Sequence, residues 1–474
     1  MWFPVRSVVV AAVAVVVAAT TGAPPASGAD GPPPLAPTTP VLSLRRVPGV
    51  VATAVADRRL VSALDRTLGD PVLGAARERT CVSVRNPAGR VAYARNPTMP
   101  LIPASTTKIL TAGVALARLG PGFRYATEVR AAAAPADGTV GGDLWFVGAG
   151  DPLLATADYA AVAGYNRGPR LATSMEVLAD RIVAAGVRRI AGRVVGDESR
   201  YDGQRYLPTW SPGYITQGAI GPQSALTVNG GFVQWEPREV GAPAPATNAA
   251  AVLTGLLRAR GVTVGGEPGE GRVPGGTAVV AAIDSPPLPD VVGVLLQESD
   301  NLTAELLVKE LGVRLGGAGT TAEGLEVVRS TLPSLGLAPE GLAWADGSGL
   351  DRSSRLTCDA LQAVLGRDGD QGAVSRGLPV AGRHGTLARR FTAGPAAGRI
   401  RAKTGSLQGV TGLAGWAATG DGRSMPFALL ANDLPGDGAG FGLQDRVANI
   451  LVAYPEAPRP EELGPRPPAV VPSG

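Results

Sequence analysis

Ser105 and Lys108 stand three residues apart in "PASTTKIL", where a Pro-rich approach turns into an apolar helix. Residues at that spacing share a helix face, so the amine can reach the hydroxyl. A serine hydroxyl needs a nearby base before it attacks a carbonyl, and a buried lysine can become one where arginine cannot. Composition sharpens the point, because only Lys108, Lys309 and Lys403 among the 44 basic residues are lysine. Two further motifs follow in order, Ser299-Asp300-Asn301 and Lys403-Thr404-Gly405. Each alone is weak. In this order, each at an element boundary, they point to acyl transfer through a serine nucleophile. Lys108 is then the base, kept neutral by burial and by repulsion from a second ammonium, for which Lys403 is the candidate.

Blander readings stand beside these. The single histidine, His384 in "AGRHGTLARRF", has no identifiable acidic partner and reads as a loop or helix-start residue. Ser299 and Asn301 would serve well as caps of the "LTAELLVKELG" helix, and Asp300 as a cap or an outward-facing residue. Lys309 on that helix reads as a solvated surface charge. Asp346, Ser348 and Asp351 in "DGSGLDR" read as a turn that borders the site. Trp145 and Trp210 read as core.

The elements that must position the motifs can be read from periodicity. A short helix is expected over 58–69, then a hairpin from "CVSVR" and "VAYAR", then the amphipathic "PASTTKILTAGVALARLG" closed by Gly120. From about 125 to 285 the texture changes to short strand candidates such as "DLWFVG" and "RVVGD", with helical runs near 174–186 and 247–260. Helical signal returns in "LPDVVGVLLQESDNLTAELLVKELGVRLG", in "TTAEGLEVVRSTLPSLG", at 357–366 and in "GTLARRF". "GRIRAKTG", "GVTGLAGWAAT" and "MPFALLAND" give three successive strands, and "GFGLQDRVANILVAYP" a last helix. The expected organisation is a signal peptide over 1–29, a Pro-rich linker over 30–57, a discontinuous α/β (α+β) catalytic domain over 58–124 and 286–455, an inserted mostly β region over 125–285, and a Pro-rich tail over 456–474.

The chain has 474 residues, 45% hydrophobic and 18% charged, which is a globular composition. Its net charge of +4 is spread along the sequence, so no clustered basic face marks a nucleic-acid partner. The opening "MWFPVRSVVVAAVAVVVAATTGAPPASGA" has an apolar run of signal-peptide length with small residues at Ser27 and Ala29; an uncleaved N-terminal anchor is the alternative. Either way the bulk of the chain leaves the cytoplasm, with peripheral association with membrane or wall as an expectation. Two cysteines, Cys81 and Cys358, can make one disulfide in an exported protein, but nothing in the sequence shows that they meet. Cys81 reads more plainly as a small buried hydrophobe, and reduction is expected to change stability modestly. Two cysteines and one histidine without close spacing make no zinc site, and no other metal or cofactor is implied.

The three motifs resemble those of the penicillin-recognising serine enzymes, the penicillin-binding proteins and serine β-lactamases. Further segments, "YARNPTMPLIPASTTKILTA", "LWFVGAGDPLL", "GAIGPQSALTVNGG", "DGSGLDRSSRLT" and "GTLARRF", are similar to the D-alanyl-D-alanine carboxypeptidase/endopeptidase group of low-molecular-mass penicillin-binding proteins. The long interval between Ser105 and Ser299 also fits that group, which carries inserted domains there. The resemblance covers roughly residues 58 to 455. It implies a penicillin-binding-protein/β-lactamase-like transpeptidase domain acting on peptidoglycan stem peptides and covalently inhibited by β-lactams. Ser105 would be the nucleophile, Lys108 its base, Ser299 the donor of a proton to the leaving amine, and Asn301 the holder of the substrate amide. Lys403 and Thr404, with Gly405 and Ser406 beside them, would bind the terminal carboxylate, and the N–H groups of Ser105 and Ser406 would form the oxyanion hole. His384 departs from the group, which often has aspartate before "GTL". Two rivals remain at this point. A class A β-lactamase would carry a Glu-x-x-Leu-Asn loop, absent here, and a class C enzyme has tyrosine in the second motif. A non-catalytic wall-binding module should show decay in at least one motif, and all three are intact.

Overall fold

The computed structural model describes residues 47–165 and 168–463. The signal peptide read over 1–29, the linker up to residue 46 and the tail from residue 464 lie outside the described residues. Helix α1 (Val47–Leu68) begins well before the expected residue 58. Ala52, Ala56, Leu60, Leu64 and Leu68 recur every four residues and are buried, so the stripe that docks the helix reaches back into sequence read as linker. Strands β1 (Thr80–Arg85) and β2 (Val91–Arg95) pair as the antiparallel hairpin. A single 3-10 turn, Ala104–Thr106, leads into α2 (Thr107–Leu119), which Gly120 ends.

The segment that follows builds a second sheet from β3 (Ala126–Ala131), β4 (Leu144–Val147), β5 (Val194–Asp197), β6 (Gly269–Glu270) and β7 (Ala278–Asp284), in the order β6-β5-β4-β3-β7. The β4–β5 and β5–β6 pairs are parallel and need crossovers, which α3 (Met175–Ala184) and α4 (Pro245–Arg258) supply. This region, expected to be mostly β, is therefore a mixed α/β layer with its own core of Phe146, Leu178, Ile182, Val194 and Leu253.

Beyond it, a run that reads as one long helical signal is broken into α5 (Leu288–Gln297) and α6 (Asn301–Leu311). The break falls at Ser299, whose backbone is left-handed at φ 56°. Helices α7 (Thr321–Thr331) and α8 (Cys358–Asp368) follow. "GTLARRF", expected to be helical, forms only a 3-10 turn at Gly385–Leu387. Strands β8 (Ile400–Leu407), β9 (Val410–Ala418) and β10 (Ser424–Asn432) then join the first hairpin, and α9 (Asp437–Ala453) closes the layer. The start of the Pro-rich tail still forms a helical turn at Pro460–Leu463.

The first sheet is antiparallel in the order β8-β9-β10-β1-β2 and covered on both faces. Side chains alternate along it: Leu413, Phe427 and Leu429 pack with α1 and α9, whereas Ala414, Trp416 and Leu430 pack with α2, α5 and α8. That is why β9 and β10 read as continuous apolar runs rather than alternating ones. Cys81 on β1 and Cys358 at the start of α8 are both buried and joined by a disulfide, with Cα atoms 6.0 Å apart. The sequence leaves open whether the two cysteines meet; the structure joins them, and the plainer reading of Cys81 as a buried hydrophobe gives way to a bonded one. They lie 277 residues apart, and only the packing of α8 on β1 brings them together.

Candidate active site

Ser105 lies on the 3-10 turn ahead of α2. Ala104, just before it, holds left-handed backbone at φ 48°, a conformation that costs an L-residue about 1 kcal/mol or more and recurs at functional turns. Two local bonds brace the turn: Thr106 Oγ1 donates to the Pro103 carbonyl (2.7 Å) and Thr107 Oγ1 to the Ala104 carbonyl (2.9 Å). Two glycines let neighbours close on it. A Cβ at Gly405 would sit 2.7 Å from the Pro103 oxygen, and one at Gly349 2.0 Å from the Ala104 oxygen. Edge strand β8 and the 346–351 turn therefore clamp Ser105 from two sides.

Lys108 is completely buried, and its Nζ donates to three acceptors: Ser105 Oγ (3.0 Å), Asn301 Oδ1 (2.6 Å) and the Ser348 carbonyl (2.7 Å). The ammonium is fully satisfied in this arrangement. Two of those acceptors, a carbonyl and an amide oxygen, carry no proton to return. When Lys108 is neutral, its two hydrogens stay on Asn301 and Ser348, and its lone pair faces the only neighbour that can donate, the Ser105 hydroxyl. Burial lowers the amine from its ordinary value to about 8, against the pull of Asp346, Glu305 and Asp300. Burial, rather than a second ammonium, therefore accounts for the shift. The repulsion registers on Lys403 instead, which burial first and Lys108 second push well below the usual lysine range.

Lys403 Nζ donates to Ser299 Oγ (2.9 Å) and the Thr404 carbonyl (2.9 Å), and Thr404 Oγ1 to Thr386 Oγ1 (2.9 Å). The second and third motifs thus meet directly, and the first and second meet through Lys108 and Asn301. Exposed Ser406 follows Gly405 on the same edge strand. His384 is exposed on the turn before Gly385 and bonds none of the motif residues.

Capping falls to the middle residue of the second motif. Asp300 Oδ1 accepts the Thr303 N–H at the head of α6, which frees Ser299 and Asn301 for the site. The other Asp300 oxygen accepts from Arg170 Nη1 at 2.7 Å, and both side chains are largely buried. Asn301 Nδ2 donates to the Ala219 carbonyl at 2.7 Å. Lys309, expected at the surface, is fully buried and binds Asp202 and the Gln204 carbonyl. Residues 170, 202, 204 and 219 all belong to the segment between the two halves of the first sheet, so α6 is held by that segment as well as by its helix neighbours α2 and α7. The turn at 346–351 is formed as expected, with Asp346 accepting the Gly349 and Asp351 N–H groups at 2.7 Å each. Trp210, buried as expected, also donates its indole N–H to Asp346 at 2.9 Å; Trp145 is only half-buried.

Arg170 and Glu305 lie in no quoted motif, whereas Ala219 and Thr386 lie inside "GAIGPQSALTVNGG" and "GTLARRF" without having been singled out as contacts. Glu305 offered a clue of its own, an acidic residue one turn beyond Asn301 within the mostly apolar run Leu302–Val308. Replacing Arg170 with Met is expected to cost roughly 3 kcal/mol in urea unfolding, because it strands the buried Asp300 carboxylate. Burial pushes the Asp300 carboxyl up, but Arg170 and the Thr303 N–H together bring it below its ordinary value. The contribution is thus present above the unfolded pKa, about 4, and is lost only as pH falls through the lower folded value. Combining Arg170→Met with Asp300→Asn should recover part of the loss; a double variant no more stable than the single one would refute the pairing.

The fold is that of the penicillin-recognising serine enzymes. Penicillin-binding protein 4 of Haemophilus influenzae superposes with a TM-score of 0.66 at 21% identity, covering 78% of this chain and 96% of that one. Over residues 60–243 and 237–451 the chain matches the D-Ala-D-Ala carboxypeptidase 3 (S13) family, and it belongs to that family of serine peptidases. A D-alanyl-D-alanine carboxypeptidase of Actinomadura sp. (strain R39) is 30% identical over 84% of this chain and 85% of its own length. A carboxypeptidase of Mycobacterium tuberculosis is 32% identical over 85% and 86%.

Proposed function

We propose that the chain is a serine-type D-alanyl-D-alanine carboxypeptidase of peptidoglycan stem peptides, acting through an acyl-enzyme on Ser105, and that β-lactams acylate the same hydroxyl. The observation that carries this reading is the set of three contacts at Lys108 Nζ, which leaves a neutral amine able to accept a proton only from Ser105. Lys108 takes that proton as Oγ bonds to the scissile carbonyl carbon. The developing oxyanion is received by the N–H groups of Ser105 and Ser406. Ser299 then delivers a proton to the departing D-alanine amine and is itself resupplied with the one that Lys108 took up, which returns the base to its neutral form. Asn301 meanwhile holds the amide on the acyl side. Lys403 and Thr404 receive the terminal carboxylate, and an incoming carboxylate would raise the depressed affinity of Lys403 for its proton. Water completes the cycle by hydrolysing the ester.

A cavity of about 530 Å³ opens against the Ser299–Leu302 turn, with Tyr159, Arg170, Phe232, Trp235 and Glu298 in its walls. That volume suits a ligand larger than a dipeptide and supports a stem peptide, free or cross-linked, as substrate. The buried disulfide supports action outside the cytoplasm. No helix among the described residues is long and apolar enough to cross a membrane.

Product analysis on a pentapeptide and on a cross-linked dimer, with intact-mass detection of a penicillin adduct on Ser105, tests the proposal. Release of D-alanine and a stable adduct are expected, with cleaved dimer marking endopeptidase action as well. Rapid nitrocefin turnover would point to a β-lactamase, and absence of any adduct to a binding module.

A further inference from the structure

We propose that Glu305 is a positioning residue for the base: by holding the backbone of the 346–349 turn it aims the Ser348 carbonyl at Lys108 and so fixes where the amine's lone pair points. The inference rests on reading Lys108 as the base of Ser105. Glu305 sits on α6 one turn beyond Asn301 and is fully buried. Its Oε1 accepts the Ser348 N–H at 2.8 Å and the Gly347 N–H at 3.1 Å, and its Oε2 lies 3.2 Å from the Gly347 nitrogen. Those bonds fix the peptide just ahead of the one whose carbonyl, that of Ser348, takes one hydrogen of Lys108. Asp346 holds the Gly349 N–H of that following peptide at 2.7 Å. Asn301, on the same helix as Glu305, takes the second hydrogen of Lys108. One helix therefore governs two of the amine's three neighbours, and the third is the nucleophile.

A structural anchor alone could be met by a neutral side chain. Among the described residues no basic group is bonded to Glu305, and an unpaired buried carboxylate is costly. An acidic neighbour, Asp346 at the head of the 346–349 turn, is itself buried and acts on Glu305. The charged groups around Lys108 are Asp300 and Glu305 from α6, Asp346 from the turn, and Lys403 from β8. The carboxylates draw the amine's proton back while burial expels it. Burial first and Asp346 second push Glu305 above the usual carboxylate range, so its charge too can change in the pH range where Lys108 gives up its proton.

The test uses the full chain with Glu305→Ala and Glu305→Gln, following penicillin acylation from pH 6 to 10 alongside thermal unfolding. Glu305→Ala should lower the limiting acylation rate roughly 100-fold, the lower end of what a well-placed base contributes. Glu305→Gln, whose amide oxygen can still accept the Ser348 N–H, should recover the rate to within about tenfold of the parent. In both, the pH of half-maximal acylation should move below the parent's, because a carboxylate that retained the Lys108 proton has gone. Parent-like rates in both variants would overturn the proposal. So would a rate loss that tracks melting temperature with an unmoved pH midpoint, which is how a merely structural residue behaves. Failure of the parent to acylate at Ser105 would instead count against the assignment of the site.

Discussion

Lys108→Arg is expected to acylate with penicillin about a thousandfold more slowly than the parent, nearly as slowly as Lys108→Ala, within the range that general bases contribute. Arginine preserves the positive charge and much of the length, and guanidinium stays protonated at any working pH. A lysine that served only as a buried cation would tolerate the exchange. Here Nζ has three acceptors and one useful direction for its lone pair, so an obligate cation cannot do its work. In the parent, acylation should rise as pH increases through about 8, where the amine loses its proton. Lys403→Arg should behave differently, because attracting a carboxylate is something arginine does well; a loss of about tenfold, from crowding in a buried position, is expected there. Acylation rates of both variants between pH 6 and 10 decide the matter. A Lys108→Arg protein close to the parent rate would place the base elsewhere.

The second large effect concerns Cys81 and Cys358. Chain-entropy reasoning gives a bond across 277 residues a contribution of roughly 5–6 kcal/mol. Replacing both cysteines with alanine should lower the melting temperature by about 6 °C while leaving the rate of Ser105 acylation unchanged at 25 °C. Thiol titration of the unfolded parent should find no free thiols before reduction and two after. A melting temperature within about 2 °C of the parent would show that α8 is held on β1 by packing alone.

What the sequence disclosed follows from what chemistry can restrict. Ser105, Lys108, Ser299, Asn301, Lys403 and Thr404 were legible because only a few residue types serve such roles, and a chain that otherwise writes its cations as arginine exposes its lysines. The same reasoning misplaced Lys309, because no local pattern shows that Asp202 and the Gln204 carbonyl come to meet it. Arg170 stayed invisible for the same reason, and Ala219, though inside a quoted segment, gave no sign of its contact: each touches the second motif from a distant part of the chain, one through an ordinary ion pair and the other through a backbone carbonyl. The strands of the first sheet were legible from their apolar runs, and so was the last helix. Helix α1 was misjudged at its start because Pro and Val at its head resemble linker sequence until the four-residue stripe is followed backwards.

The Asn301–Ala219 contact bears on how this architecture can be taken apart. Excising the segment between β3 and β7 to obtain a minimal enzyme would leave the first sheet, its helices and all three motifs in the chain. It would also remove the acceptor of the Asn301 amide, the guanidinium facing Asp300, and the partners of Lys309. The segment is therefore not an interchangeable module, and a chimera carrying another protein's version would have to reproduce these contacts at α6 before it could work.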